Sequence, residues 1–231
     1  MNITIVQGND CQLPFADVNI VIDVIRAFTV SHLCFLQGVK EIWLAKDTKV
    51  AFSLKEKHKD FLLAGEINGL PIENFDLDNS PNNIITHDLT NKTIVQKTTN
   101  GVRATLNSLQ AKDVIVTGFS NANTTASFIK NHIMPQNPTP TIHLVASHPS
   151  SDEDLACAEY INAILKGEDT PTEDTVIKRI KQAEAARKFH DRTQPDFSKE
   201  DLDYCTEVRS SSFIMKVNNN HETPKIERYN I

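Results

Sequence analysis

Seven short runs of β-branched and apolar residues, with helical periodicity between them, constrain the fold of this chain most. They are 3–6 (ITIV), 19–24 (NIVIDV), 41–45 (EIWLA), 61–65 (FLLAG), 93–97 (TIVQK), 113–118 (DVIVTG) and 141–147 (TIHLVAS). Several are apolar at nearly every position, the pattern of strands covered on both faces. Helical patterns occupy 27–37, 47–58, 102–110 and 121–133. Strands alternating with helices need crossover connections, so the expected fold is α/β, with three α/β/α layers and a mostly parallel sheet.

After residue 150 the character changes. Helices are expected over 151–167, 172–189 and 198–208, then a closing hairpin from 213–217 and 225–229. Ser151 stands as the N-cap of the first and Gly167 as its end. The 231 residues contain no low-complexity linker and are read as one domain, 1–231, with a helical part over 151–208. One internal echo suggests duplicated, intertwined halves. "IRAFTVSHLCFLQGVKEIWL" and "VRATLNSLQAKDVIVTG" both run Arg-Ala, short helix, Leu-Gln, strand, which places the halves around 19–45 and 93–118.

Composition narrows the partners. The net charge is -6 and no basic patch stands out, which argues against nucleic acid. No apolar run approaches the ~20 residues that span a bilayer. Cys11, Cys34, Cys157 and Cys205 form no CxxC pair, and the N-terminal residues do not read as a secretory signal. A cytoplasmic protein is the expectation, and a homodimer the expected assembly.

In open α/β sheets ligands bind beyond the carboxyl ends of strands. Asp23 and Arg26 lie there, as do Glu66 and Gly69, Thr98 to Arg103, Ser120 to Asn123, and Ser147 with His148. The stretch "QKTTNGVRAT" (96–105) combines a glycine, two threonines and an arginine where a strand turns into a helix. Backbone amides and hydroxyls at such a turn suit an anion. The same residues also suit a plain turn and helix cap. Asp23, Glu66, Asp76 and Asp78 would together suit Mg²⁺, a hard cation that takes oxygen ligands. Asp23 paired with Arg26, and Asp152 to Asp154 as helix-dipole partners, are the plainer readings. Neither a GxSxG elbow nor an HExxH pair is present.

Six segments in order resemble the ComB-type 2-phosphosulfolactate phosphatases: "VIDVIRAFT" (21–29), "LAGEINGLPIENFDLDNSP" (63–81), "KTTNGVRA" (97–104), "GFSNANTTA" (118–126), "EDLACAE" (153–159) and "DLDYC" (201–205). The resemblance implies Mg²⁺-dependent hydrolysis of the phosphate monoester of 2-phosphosulfolactate, or of a similar phosphorylated 2-hydroxy acid. The products would be 3-sulfolactate and phosphate, on the way to coenzyme M. It implies Asp23, Arg26 and Arg103 as catalytic residues and Thr98, Thr99, Asn100 and Gly101 as the phosphate cradle. It also implies Asn79, Ser80 and Asn121 as contacts to the substrate's acid end, and Asp23, Glu66 and Asp76 as metal ligands. The attacking group could be water or a carboxylate, Asp23 in the latter case. Val102, Asp78 and Glu159 depart from the family pattern. The departures at Val102 and Asp78 leave a second reading, a non-catalytic binder of a phosphorylated or sulfonated metabolite.

Overall fold

A strand buried on both faces sends alternate side chains into opposite layers. In the strand β2 (Ala16–Ile22), Val18, Ile20 and Ile22 enter one core and Val21 the other. The computed structural model describes residues 1–10 and 12–231; Cys11 lies outside the described residues. All seven expected strands form: β1 (Asn2–Gln7), β2, β3 (Glu41–Leu44), β4 (Leu62–Ile67), β6 (Thr93–Lys97), β7 (Ala111–Thr117) and β8 (Thr141–Ala146). β5 (Leu70–Pro71) is a two-residue addition antiparallel to β4.

The helices α1 (Ala27–Leu36), α3 (Pro81–Ile84) and α4 (Gly101–Asn107) cover one face of the sheet. The other carries α5 (Ala122–Phe128), α6 (Asp152–Lys166), α7 (Glu173–Gln182) and α8 (Lys199–Thr206). α2 (Thr48–Lys57) packs with Phe61, Leu63 and Val95 in a smaller cluster. The result is the expected three-layer α/β/α arrangement. Nine consecutive residues of α1, Ala27 to Phe35, are buried, so this helix is enclosed on all sides.

The strands form one sheet in the order β1-β8-β2-β7-β9-β10-β3-β6-β4-β5, with β9 (Phe213–Asn218) and β10 (Lys225–Asn230) antiparallel to each other. The terminal hairpin thus stitches two parallel half-sheets together in the middle. The connection β2-α1-β3 leaves one half for the other, and β6-α4-β7 returns. The long helix expected over 172–189 instead ends at Gln182. Ala183 is extended (φ -59°, ψ 156°), and Glu184–His190 continues as a 3₁₀ turn. None of the described helices is long and apolar enough to cross a membrane.

One core group gives a pH-dependent term. His32 is fully enclosed, its Nδ1 is 2.9 Å from Ser120 Oγ, and its Nε2 has no partner among the described residues. Burial, with Arg209 nearby, lowers its pKa to about 4. The unfolded chain therefore binds this proton first as pH falls. The stabilisation is complete above the ordinary value of 6.5 and is lost as pH drops toward 4. It is on the order of 3 kcal/mol. Urea unfolding at pH 7 and pH 4.5 should show a smaller acid loss in His32→Gln than in the wild type. Equal losses would remove His32 from the account.

Candidate active site

The ends of β2, β4, β6 and β8 open onto a cleft of about 390 Å³, lined by Asp23, Arg26, Glu66, Asn79, Asn100, His148 and Lys188, among others. It straddles the two half-sheets: Asp23 and His148 come from one, Glu66 and Asn100 from the other.

Asp23 is 5% exposed. Its Oδ1 accepts from the Ala27 amide at 2.9 Å and its Oδ2 from Ser147 Oγ at 3.2 Å. The Ser147 hydroxyl also lies 3.0 Å from Asp154 Oδ2, and Asp154 accepts from the Val24 and His148 amides at 2.7 and 2.9 Å. Burial, then the charge of Asp154, pushes the Asp23 carboxyl up to about 8. Asp154 and Glu153 are likewise raised, chiefly by burial. So Asp154 and Glu153 do more than partner the helix dipole of α6. They crowd acid charge around Asp23.

Of the Thr98–Gly101 turn, Thr99 donates to Glu66, and Thr99 and Asn100 line the cleft. Parallel pairing sets Gly65 beside Lys97, so the next residues of both strands meet. The Thr99 amide donates to Glu66 Oε1, while the Gly69 amide and, at 2.9 Å, Thr99 Oγ1 donate to Oε2. Thr98 takes the capping role, its Oγ1 accepting from the Val102 amide at 3.0 Å. Gly101 is a matter of space. A Cβ there would stand 2.6 Å from Asp23 Oδ2 and 2.9 Å from the Ala27 Cβ. Gly101→Ala should therefore cost about 1–3 kcal/mol and displace Asp23. Unchanged denaturant stability would show that α4 can shift without loss.

Arg26 is the buried cation of the cleft. Its Nη1 donates to Asp201 at 2.7 Å and its Nη2 to the Gly69 carbonyl at 2.8 Å, and its guanidinium lies 5.1 Å from the Phe189 ring centre and 5.5 Å from that of Phe197. Asp23 is not its partner. Asp201 is fully buried and also accepts from Ser80 Oγ at 2.6 Å and the Asn82 amide at 3.0 Å. Ser80 thus reaches the site only through Asp201.

Three expected site residues stand apart from the cleft lining. Asp76 Oδ2 accepts from the Leu63 amide at 2.8 Å and Lys55 Nζ at 3.1 Å. Leu63 is three residues before Glu66 on β4, roughly 10 Å at strand rise, so Asp76 serves the wrong end of the strand. Arg103 is 58% exposed and pairs with Asp10, because the buried face of α4 is made by its neighbours Gly101, Val102, Ala104 and Thr105. Asn121 accepts from Thr117 Oγ1 at 2.9 Å and the Gly118 amide at 3.1 Å, fixing the turn after β7. Asn79 does line the cleft, with its buried Oδ1 unpartnered.

Comparison with known proteins matches residues 6–220 to the family model described as 2-phosphosulpholactate phosphatase. The chain belongs to this family. A relative from Bacillus subtilis named "Probable 2-phosphosulfolactate phosphatase" is 49% identical over 228 residues, 99% of each chain. Relatives of the same name from Clostridium novyi (32% identical, 68% of this chain and 67% of the relative) and Thermoplasma volcanium (28%, 84% and 86%) agree.

The three positions read from the sequence as departures from the phosphatase pattern lie outside the cleft lining. Val102 is buried in the core beneath α4. Asp78 Oδ1 accepts from the Ser80 amide at 2.9 Å, and Glu159 pairs with Arg179. The residues that motivated a non-catalytic reading thus lie outside the cleft lining.

The donor set also fits the implied Mg²⁺. Among the described residues no three His, Cys, Asp or Glu side chains form a ready-made metal cage. Mg²⁺ needs none, since it commonly takes one or two carboxylates, waters and the substrate phosphate. Asp23, Glu66 and the orphaned Asn79 Oδ1 are the oxygens on offer.

Two cleft residues carried no assigned role in the sequence reading. His148 Nδ1 accepts from the Ser151 amide at 2.9 Å and the Ser150 amide at 3.3 Å, which leaves the ring proton on Nε2. Its position at a strand end was the signal. Lys188 lay in the charged helix expected over 172–189, with Glu and Lys at i,i+4 spacings.

Proposed function

We propose that the protein is a Mg²⁺-dependent phosphatase that hydrolyses 2-phosphosulfolactate to 3-sulfolactate and inorganic phosphate. The end-to-end match to the Bacillus subtilis relative carries this reading. The cleft supports it, because buried acids face Arg26 across a space of small-molecule size. Asp23, Glu66 and Asn79 Oδ1 would hold Mg²⁺, which supplies Lewis-acid stabilisation of the phosphoryl oxygens. Arg26, locked by Asp201 and the Gly69 carbonyl, presents a fixed positive charge to the same oxygens. His148 Nε2–H is a neutral donor for the oxygen that leaves with the hydroxy acid. Water supplies the new P–O bond, the ester P–O bond breaks, and the leaving oxygen takes a proton. A cytoplasmic homodimer belongs to the same reading, with sedimentation as its check.

The test is phosphate release from 2-phosphosulfolactate with Mg²⁺ or with EDTA. Release with metal and none with chelator is the expected result, and no release under either condition overturns the reading. Arg26→Ala should lower kcat/KM far more than Arg103→Ala, given where the two guanidinium groups lie. The opposite ranking would return Arg103 to the clamp.

A further inference from the structure

Lys188 is a cation built into the cleft wall that makes no direct ion pair among the described residues, although the carboxylates of Glu66, Glu153 and Asp23 lie near it. It sits on the 3₁₀ turn Glu184–His190, which exists because the chain breaks at Ala183. Ala186 and Phe189 anchor the turn against Phe197 and Leu202, with the two phenyl rings edge-on at 5.3 Å. The ammonium lies 4.4 Å from the Phe197 ring centre. Gly69 makes room for it, because a Cβ there would come within 2.5 Å of Lys188 Nζ and 2.9 Å of Phe197 Cε1. Among the described residues no carboxylate lies within 4.0 Å of Nζ. Burial, and then Arg26, hold its pKa below the ordinary lysine value against the opposing charges of Glu66, Glu153 and Asp23. By contrast, both terminal nitrogens of Arg26 already have partners.

A half-buried ammonium over an aromatic face, near acids but bonded to none of them, has donors free for an anion. The substrate brings several: the phosphoryl group and, at the other end, the sulfonate and carboxylate. We propose that Lys188 Nζ is a direct substrate contact that binds one of these oxyanions in the cleft it lines with Asp23, Glu66 and Gly69. The assignment deepens the phosphatase reading and rests on it. The broken helix then has a purpose, since 184–190 delivers a cation that a continuous α7 would have carried elsewhere.

The test is calorimetric titration of inorganic phosphate, and separately of 3-sulfolactate, into wild type, Lys188→Met and Lys188→Arg with Mg²⁺ present. Methionine keeps an apolar stem over Phe197, so the variant should retain the wild-type Tm. The Kd of at least one anion should rise tenfold or more in Lys188→Met, with partial recovery in Lys188→Arg. Loss for phosphate alone assigns the phosphoryl group, and loss for sulfolactate alone assigns the acid end. Affinities for both anions within twofold of wild type would overturn the proposal, as would a wild type that binds neither anion. If the phosphatase reading itself fails, wild type will release no phosphate from 2-phosphosulfolactate, while the two titrations still report on Lys188.

Discussion

Asp23→Asn should reduce phosphate release by at least about a thousandfold, equivalent to ~4 kcal/mol of transition-state stabilisation, while leaving the protein folded. The side chain is enclosed, and its two oxygens are held by the Ala27 amide and the Ser147 hydroxyl. Asparagine matches it in shape and can keep the Ala27 bond, so position is preserved and only the ability to ionise, and so to ligate a cation, is lost. That charge is what would hold the cation that stabilises the transferring phosphoryl group. In metal-free protein the substitution removes one of several crowded acids, so Tm should not fall. Wild type should also gain Tm from added Mg²⁺, by mass action on the native state, and the variant should gain much less. Steady-state phosphate release and differential scanning fluorimetry, each with and without Mg²⁺, check both halves. Near-normal turnover in the variant would remove Asp23 from the chemistry. Lost turnover accompanied by unfolding would make it a structural acid.

Asp201→Ala is the second large effect, and it falls on stability first. Removing one partner of a buried pair leaves the other charge uncompensated, at a cost of about 3–5 kcal/mol. Here Arg26 is 5% exposed and Asp201 fully buried, with their charged atoms 2.7 Å apart. The substitution also strips the Ser80 hydroxyl and the Asn82 amide of their acceptor. At roughly 2–4 °C per kcal/mol for chains of this length, Tm should fall by about 10 °C. The surviving protein should turn over poorly, because Arg26 loses the bond that aims it. Urea denaturation of Asp201→Ala beside Asp203→Ala, an exposed neighbour on the same helix, gives the measurement. Equal stability in the two variants would mean that Arg26 finds another partner or water.

Much of this was legible in the residues. Strands such as β2 and β8 announce themselves because both faces are buried and nearly every position is apolar. The helices between them follow from their periodicity, as does the left-handed Gly167 that closes α6. Strand order is another matter. Whether a hairpin closes an edge or joins two half-sheets depends on pairings between distant residues, which no local pattern encodes. The site shows the same divide. Asp23 and Glu66 stand at strand ends and were found there. Asp76 lies in the same loop as Asn79 and looked equivalent, yet its bond to Leu63 puts it well down β4. Thr99 and Glu66 meet only because β4 and β6 are neighbours in register. Lys188 was hidden by a sequence that favours helix through residue 189, and only tertiary packing of Phe189 and Phe197 explains the interruption.

The central position of β9 and β10 has a consequence for how the protein is made. A nascent chain carries both parallel half-sheets before it carries the two strands that unite them. Until Phe213 to Asn230 have left the ribosome, β7 and β3 each present a row of unpaired amides and carbonyls. Such open borders invite pairing with other chains. Translation must therefore run past Asn230 before the enzyme can close its own sheet, and a message cut short in α8 would yield a sticky fragment rather than a weakened phosphatase.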